Sequence, residues 1–566
     1  MSEAVYNLTS DRPPVRRRSW RPDGLTMVAL IVAVLLSIPV ATVFVHVFVP
    51  SEGTLAHLAD TVLPLYVTNT LSLVVGVGVG VLLLGVSTAW LVTMCSFPGQ
   101  RVFEWALILP LAVPAYVMAY AYTDFLQFAG PVQGLLRDIT GWGARDYWFP
   151  EIRSPGGAIA MLILVLYPYV YLLARAAFLE QSVCALEVSR TLGCTPWSSF
   201  FRVALPLARP AIAAGVALAL METLADFGTV SYFGVPTFTT GIYRAWFSMG
   251  DRIAAAQLAT GLMAFVFAVL LLERWSRGRG RYHHTSNRYR NLGRYRLTGS
   301  RAALAAAACA LPLTLGFLLP FGILLEMSLT NGDAQFGPRF IGLALNSFTL
   351  STIGALLAVL LALLMAFAVR HGKSHLALLA NRVAGMGYAV PGSVIAVGAL
   401  IPLGLFDNTL DAWMRATFGI STGLLLTGTI AALIFAYMVR FLAVSLQAVE
   451  ASLGKVRPSM DDAARSLGVR PLRMLGRVHI PLMWSSLLTA GLVVFVDIMK
   501  ELPATLIMRP FNFDTLAVQA YHLASDERLS EASTAALAIV AVGLLPLILL
   551  SRTITRSRPG QDGDQL

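Results

Sequence analysis

The chain has 566 residues, 57% of them hydrophobic and 13% charged, with a mean hydropathy of +0.70 and a formal net charge of +11. A soluble domain carries about 25% charged residues, so this composition excludes one and points to a protein embedded in lipid. A closed β-barrel would need apolar and polar residues to alternate along short segments; they do not, so helices must satisfy the backbone.

Runs of about 20 apolar residues are long enough to cross a bilayer as helices, and twelve are expected. Six fall near 25–49, 66–95, 103–128, 157–179, 207–230 and 254–275, and six near 302–327, 345–369, 379–405, 421–446, 482–506 and 533–551. The first run, Leu25 to Val49, is too long for a signal-peptide core and has no small-residue cleavage site after it, so it reads as a retained helix. Arginine sets the orientation. Arg12, Arg16, Arg17, Arg18 and Arg21 precede the first span, residues 274–301 hold nine arginines and no acid, and Arg552, Arg556 and Arg558 follow the last span. With twelve spans these clusters share one side, so both termini are expected in the cytoplasm. The arginine-rich stretch is read as a topology determinant facing anionic lipid, not as a nucleic-acid patch. The expected organisation is a cytoplasmic segment 1–24, a six-helix domain 25–275, a linker 276–301, a second six-helix domain 302–551 and a tail 552–566. Cys95, Cys184, Cys194 and Cys309 show no paired spacing and read as unpaired small residues, with no metal site expected.

The chain repeats itself. Glu187, Ser189, Arg190, Leu192 and Gly193, followed by Pro196 and Pro206, return as Asp462, Ala464, Arg465, Leu467 and Gly468, followed by Pro471 and Pro481. Gly193 and Gly468 are 275 residues apart, as are Pro206 and Pro481. Asn69 and Pro114 likewise return as Asn346 and Pro391, with the same spacing inside each pair. Six spans per half is an even number, so the halves enter the membrane in the same sense, as a parallel repeat. Each repeated polar segment reads as a short helix ended by Gly and a second one begun at Pro. A surface hairpin on lipid is the alternative; recurrence in register favours docking on a two-fold partner.

The segment from Glu187 to Pro206, and again from Asp462 to Pro481, resembles the coupling-helix motif of permease subunits of ABC importers. The family pattern is Glu-Ala-Ala; here it is Glu187-Val188-Ser189 and Asp462-Ala463-Ala464. The resemblance covers nearly the whole chain and implies an all-α integral membrane protein of twelve transmembrane helices, two fused six-helix repeats in the type I ABC importer permease fold. It implies that Glu187, Arg190, Gly193, Pro206, Asp462, Arg465, Gly468 and Pro481 dock homodimeric cytoplasmic ATPase subunits. It also implies that a periplasmic binding protein delivers the solute and that the chain lies in the bacterial inner membrane. No phosphate-cradling loop is present: Gly372-Lys373-Ser374 lacks its first glycine, since position 367 is Phe, and Gly454-Lys455 is followed by Val456. The chain is therefore not expected to be an enzyme or to hold a cofactor; ATP belongs on a partner subunit.

Glu222 and Asp226 stand four apart on one helix face, and Asp497 and Glu501 repeat them 275 residues later. Carboxylates inside a span are costly and should face the bundle interior or water, so the four are candidates for a cation path. The alternative is structural, with Lys500 or a nearby Arg neutralising them. The stretches Leu224–Val230 and Lys500–Leu516 around them resemble the fused permeases of ferric-iron importers, which makes ferric iron the expected cargo. Thiamine, sulfate, polyamine or phosphonate on the same scaffold is the alternative, and a secondary transporter a more distant one. Tyr116, Tyr120 and Asp124 share one helix face and read as packing before ligation.

Overall fold

The computed structural model describes residues 23–50, 53–143, 145–180, 195–277, 294–330, 337–372 and 374–556. The principal helices are α1 (Gly24–Val45), α2 (Leu63–Met94), α3 (Gln100–Ala106), α4 (Ala115–Leu126), α5 (Pro155–Glu180), α6 (Leu205–Ala225), α7 (Gly228–Tyr232), α8 (Phe238–Tyr243) and α9 (Arg252–Arg277) in the first half. The second half has α10 (Gly299–Leu313), α11 (Leu319–Thr330), α12 (Pro338–Gly372), α13 (His375–Gly385), α14 (Gly392–Phe418), α15 (Ile430–Lys455), α16 (Pro458–Ser466), α17 (Ile480–Met499), α18 (Pro503–Met508), α19 (Leu516–Ser525) and α20 (Leu529–Arg556). Among the described residues, eleven helices are long and apolar enough to cross a membrane, and a bent pair, Gln100–Ala112 with Ala115–Thr140, makes twelve when taken as one span.

Two of the expected continuous spans in each half are broken. The third bends by 92° in front of Pro114. Proline lacks an N–H, and it drives the preceding residue out of the helical region: Val113 is extended at φ −93°, ψ 116°, and Val390, before Pro391, at φ −82°, ψ 122°. The two prolines have matching backbones, φ −60°, ψ 143° and φ −59°, ψ 143°. The fifth span stops at Ala225 and resumes as α7, and the eleventh stops at Met499 and resumes as α18, so neither continues to the expected 230 or 506. Both begin alike. A π-helical turn, Phe200–Ala204 or Leu475–His479, precedes Pro206 or Pro481; the wider turn accommodates a proline ring that would crowd the carbonyl four residues back.

The duplication is visible in the bonds between helices. Asn69 donates to the carbonyl of Pro236 at 2.8 Å, and Asn346 to that of Asp514 at 3.0 Å, tying α2 and α12 to the returning segments before α8 and α19. Glu104 pairs with Arg175, joining α3 to α5; at the matching positions Asn381 donates to Glu450 at 2.7 Å, joining α13 to α15 with the acid on the other helix.

The cores do not follow the sequence halves. One core gathers α2–α5 with α10, α11, α19 and α20, through residues such as Val77, Tyr167, Cys309 and Ile539. The other gathers α12–α17 with α1 and α9, through Ala33, Val266, Phe367 and Tyr437. The contiguous domains expected at 25–275 and 302–551 therefore interlock: the outer helices of each half cover the core of the other. One close approach is at Gly398 of α14, where an added Cβ would lie 2.1 Å from the carbonyl oxygen of Pro39 in α1. Gly398→Ala is expected to lower stability by about 1–3 kcal/mol, read as the thermal unfolding midpoint of the detergent-solubilised chain. An unchanged midpoint would mean that α1 does not pack there.

Candidate functional site

The breaks in the fifth and eleventh spans meet at a cavity of about 120 Å³ between the halves. Glu222, Asp226, Asp497 and Glu501 all line it, so the four acids paired in sequence are brought together. Arg440 and Lys500 line it too, and four carboxylates against two cations leave a formal excess of two negative charges.

The acids do two different things. Asp226 follows the last residue of α6, accepts from the Thr229 hydroxyl at 2.9 Å and the Val230 amide at 3.1 Å, and so holds the start of α7. Glu501, its repeat, is buried; it accepts from the amides of Ala504 and Thr505 at 2.8 and 2.9 Å and from the Thr505 hydroxyl at 2.5 Å, holding α18. A carboxylate here satisfies amides left unpaired at a new helix start and complements its dipole. Glu222 and Asp497 make no such caps. Glu222 lies 3.3 Å from Arg440, and Asp497 lies 3.0 Å from Lys500. Arg440 also lies 3.6 Å from Glu501, so one guanidinium joins acids from both halves.

Both cations come from the second half; 275 residues earlier stand Val165 and Ala225, which line the same cavity. A lone arginine in an apolar run was the sequence signal for Arg440, since a charge inside a span needs partners.

Phe227 also lines a second cavity of about 490 Å³, bordered by Arg244, Arg509, Tyr521 and His522. The wall between the two is aromatic. Phe227 stacks on Tyr243 with centroids 3.6 Å apart and lies 5.6 Å from Tyr521. Tyr243 donates to the carbonyl of Pro503 in the other half, and Tyr521 lies 3.0 Å from the Ser231 hydroxyl in the first. These crossed tyrosines stand 278 residues apart; Tyr243 ends the stretch Thr239–Tyr243 that continues the first acidic segment, whereas Tyr521 stood in no motif. Tyr116 lines the inner cavity, Tyr120 packs on Tyr232 at 4.7 Å, and Asp124 lies off the cavity. Among the described residues no group of three His, Cys, Asp or Glu is arranged to hold a metal ion.

Of the polar hairpins, the second is described. Glu187, Arg190 and Gly193 lie outside the described residues; Pro206 stands in the first turn of α6, as Pro481 does in that of α17. α16 ends as expected: Gly468, at φ +70°, donates to Arg465, and Val469 donates to Ala464 at 3.0 Å, closing the helix with a left-handed residue. Asp462 is exposed and lies 3.7 Å from Arg465, and Leu467 is 81% exposed. An added Cβ at Gly468 would meet nothing within 4 Å, so within the chain a side chain there costs backbone strain alone.

Asp461, beside the motif, is buried. It accepts from Arg370 Nε at 2.6 Å and from His479 Nε2 at 2.9 Å. Burial alone would push its carboxyl up; these hydrogen bonds outweigh it and hold it below the usual carboxylate range.

Residues 81–273 match the family described as binding-protein-dependent transport system inner membrane component. The chain is 27% identical over 495 residues to the Fe(3+)-transport system permease protein FbpB 2 of Haemophilus influenzae, covering 86% of this chain and 89% of that protein. It is 30% identical over 236 residues to the sulfate transport system permease protein CysW of Escherichia coli, covering 41% of this chain and 76% of the relative. The molybdenum transport system permease protein ModB of Escherichia coli is 29% identical over 197 residues, 34% of this chain and 83% of that protein.

The division among the acids is testable without transport. Glu501→Ala removes the α18 cap and one partner of a buried arginine, and is expected to cost about 3 kcal/mol. Asp497→Asn keeps the shape at the cavity wall and the cap of α18, and is expected to cost about 1 kcal/mol. Thermal unfolding in detergent reads both; equal losses would contradict the division.

Proposed function

From the premise that this chain belongs to the family of binding-protein-dependent transport system inner membrane components, we propose that the charged cavity between its halves is the solute path, and that its cargo is ferric iron. The chain is the multi-pass inner-membrane permease of an ABC importer. ATP is hydrolysed on separate cytoplasmic subunits, a homodimer matched to the two hairpins, and a periplasmic binding protein supplies the solute. Both termini are cytoplasmic, as the arginine clusters require.

The observation that carries the path is the convergence of both halves' acids on one cavity with a formal excess of negative charge. A trivalent cation leaving its binding protein loses ligands, and negative charge along its route lowers that cost. The cargo rests on two further supports. The relatives matched along most of the chain include ferric permeases, whereas the sulfate and molybdenum relatives match 41% and 34% of it. An oxyanion would also meet four carboxylates. Arg440 and Lys500 favour a second reading, a small oxyanion such as sulfate held by the two cations.

Glu222 and Asp497 are the path carboxylates; Asp226 and Glu501 shape the breaks. In proteoliposomes holding permease, ATPase and binding protein, radiolabelled ferric iron is expected to enter with ATP, and labelled sulfate and molybdate are not. Sulfate uptake would replace the cargo, and uptake without ATP would move the chain to the secondary transporters.

Glu222→Gln with Asp497→Asn is expected to slow iron uptake about tenfold per molecule, while the loaded binding protein still stimulates ATP hydrolysis. Undiminished uptake would leave these carboxylates without a transport role. Gly468→Arg costs about 1 kcal/mol of backbone strain, so the chain should still reach the membrane while ATP hydrolysis no longer drives uptake. Parental uptake with both Gly193→Arg and Gly468→Arg would remove the hairpins from docking.

A further inference from the structure

A groove of about 600 Å³ runs between α2, α6 and α9 and shares no lining residue with either cavity. Val74 and Leu82 of α2, Ile212 and Val216 of α6, and Val269 and Leu272 of α9 form its walls. Among the described residues three polar side chains reach it: Arg209, Glu273 and Ser276. All three stand at one end, where α6 begins and α9 finishes.

That end is cationic. Arg209 Nε donates to the Ser276 hydroxyl at 3.4 Å, and its two terminal nitrogens have no partner among the described residues. Arg202 and Arg274, both exposed, stand at the same helix ends, so three arginines are set against one acid, Glu273. Trp275, 79% exposed, is at the same level, and exposed tryptophan favours the depth of the lipid headgroups.

The dimensions agree with a lipid. From Arg209 to Leu220, α6 rises about 17 Å at 1.5 Å per residue. One leaflet of hydrocarbon is about 15 Å deep, half of a core of about 30 Å. A groove that is polar at one end and apolar for the depth of a leaflet matches an amphiphile with an anionic head and acyl chains. Residues 278–293, which follow α9 in the chain, hold four arginines and no acid, and would bring like charge to Arg209. A hydrated ion gains nothing from apolar walls.

We propose that this groove is a binding site for an anionic phospholipid, with its phosphate on Arg209 and Ser276 and an acyl chain between α6 and α9. A guanidinium whose terminal nitrogens are free presents the fork that phosphate oxygens accept, and Ser276 fixes its position. By the orientation proposed above the leaflet is the cytoplasmic one, where basic pockets between helices gather anionic heads; only the choice of leaflet rests on that reading. Leu205 and Pro206, which begin α6, also line the groove, and Leu220 stands just before Glu222 of the inner cavity. The bound lipid therefore packs along the helix that carries Glu222.

The test uses the whole chain, purified in detergent and stripped of lipid by prolonged exchange. Dioleoyl phosphatidylglycerol or dioleoyl phosphatidylcholine is then added, and native mass spectrometry measures the lipid retained. The parent is expected to retain phosphatidylglycerol about fivefold more strongly, the contribution of one basic residue near anionic lipid. Arg209→Gln should abolish the preference, and Arg209→Lys should keep part of it. Ala213→Phe, which fills the groove beside α6, should lower retention of both lipids with Arg209 in place. Thermal unfolding without added lipid is expected to match the parent in each variant, which separates lost binding from lost folding; where Ala213→Phe lowers the midpoint by itself, the two Arg209 variants decide. Equal retention of the two lipids by the parent overturns the proposal, as does a preference that survives Arg209→Gln. A preference that survives in folded Ala213→Phe overturns it too, because the head would then be held without the groove. So does displacement of the lipid by inorganic phosphate, which would make the head alone the ligand.

Discussion

The guanidinium of Arg440 lies between Glu222 of the first half and Glu501 of the second, and much of the architecture follows from satisfying it. A buried cation in a membrane span is tolerated when carboxylates surround it. Here they come from the two span breaks, so the halves are fixed at the point where their backbones leave the helix. Glu501 can serve Arg440 because α17 stops at Met499, and α17 can stop there because Glu501 satisfies the amides that start α18. Break, cap and ion pair are one arrangement, and the cavity is the space it leaves.

Interlocking of the cores serves the same end. With α1 and α9 on the second core and α10, α11 and α20 on the first, the halves cannot drift apart without uncovering both. Pseudo-symmetry builds this frame, and it is broken at the cavity, where Arg440 and Lys500 both come from the second half.

Much of this was legible in the sequence wherever a feature recurred. The 275-residue offset linked Glu222 with Asp497 and Asp226 with Glu501, and all four line one cavity. Pro114 and Pro391 stood out as repeats, but hydropathy averages across a bend, so their spans read as continuous. The roles of the acids were not legible, because spacing places a carboxylate on a helix face and does not say that the helix ends beside it. Crossed packing was hidden for a similar reason: apolar periodicity reports that a face is covered, not which half covers it. Asp461 stood in the second polar hairpin beside Asp462, which matched the motif, but its separate role was not legible, because the burial that separates them depends on Arg370, 91 residues away.

The most direct test of the central cavity as the path is a thiol at its wall. Val165, which lines the cavity at the position matching Arg440, can be replaced by cysteine in a chain freed of its four native cysteines. The account predicts that a charged, membrane-impermeant methanethiosulfonate reagent reacts with Val165→Cys at a rate that changes between the nucleotide-free and ATP-bound complex, and that modification stops ferric uptake. Complete modification with uptake undiminished would contradict it, because a path blocked at this point cannot conduct.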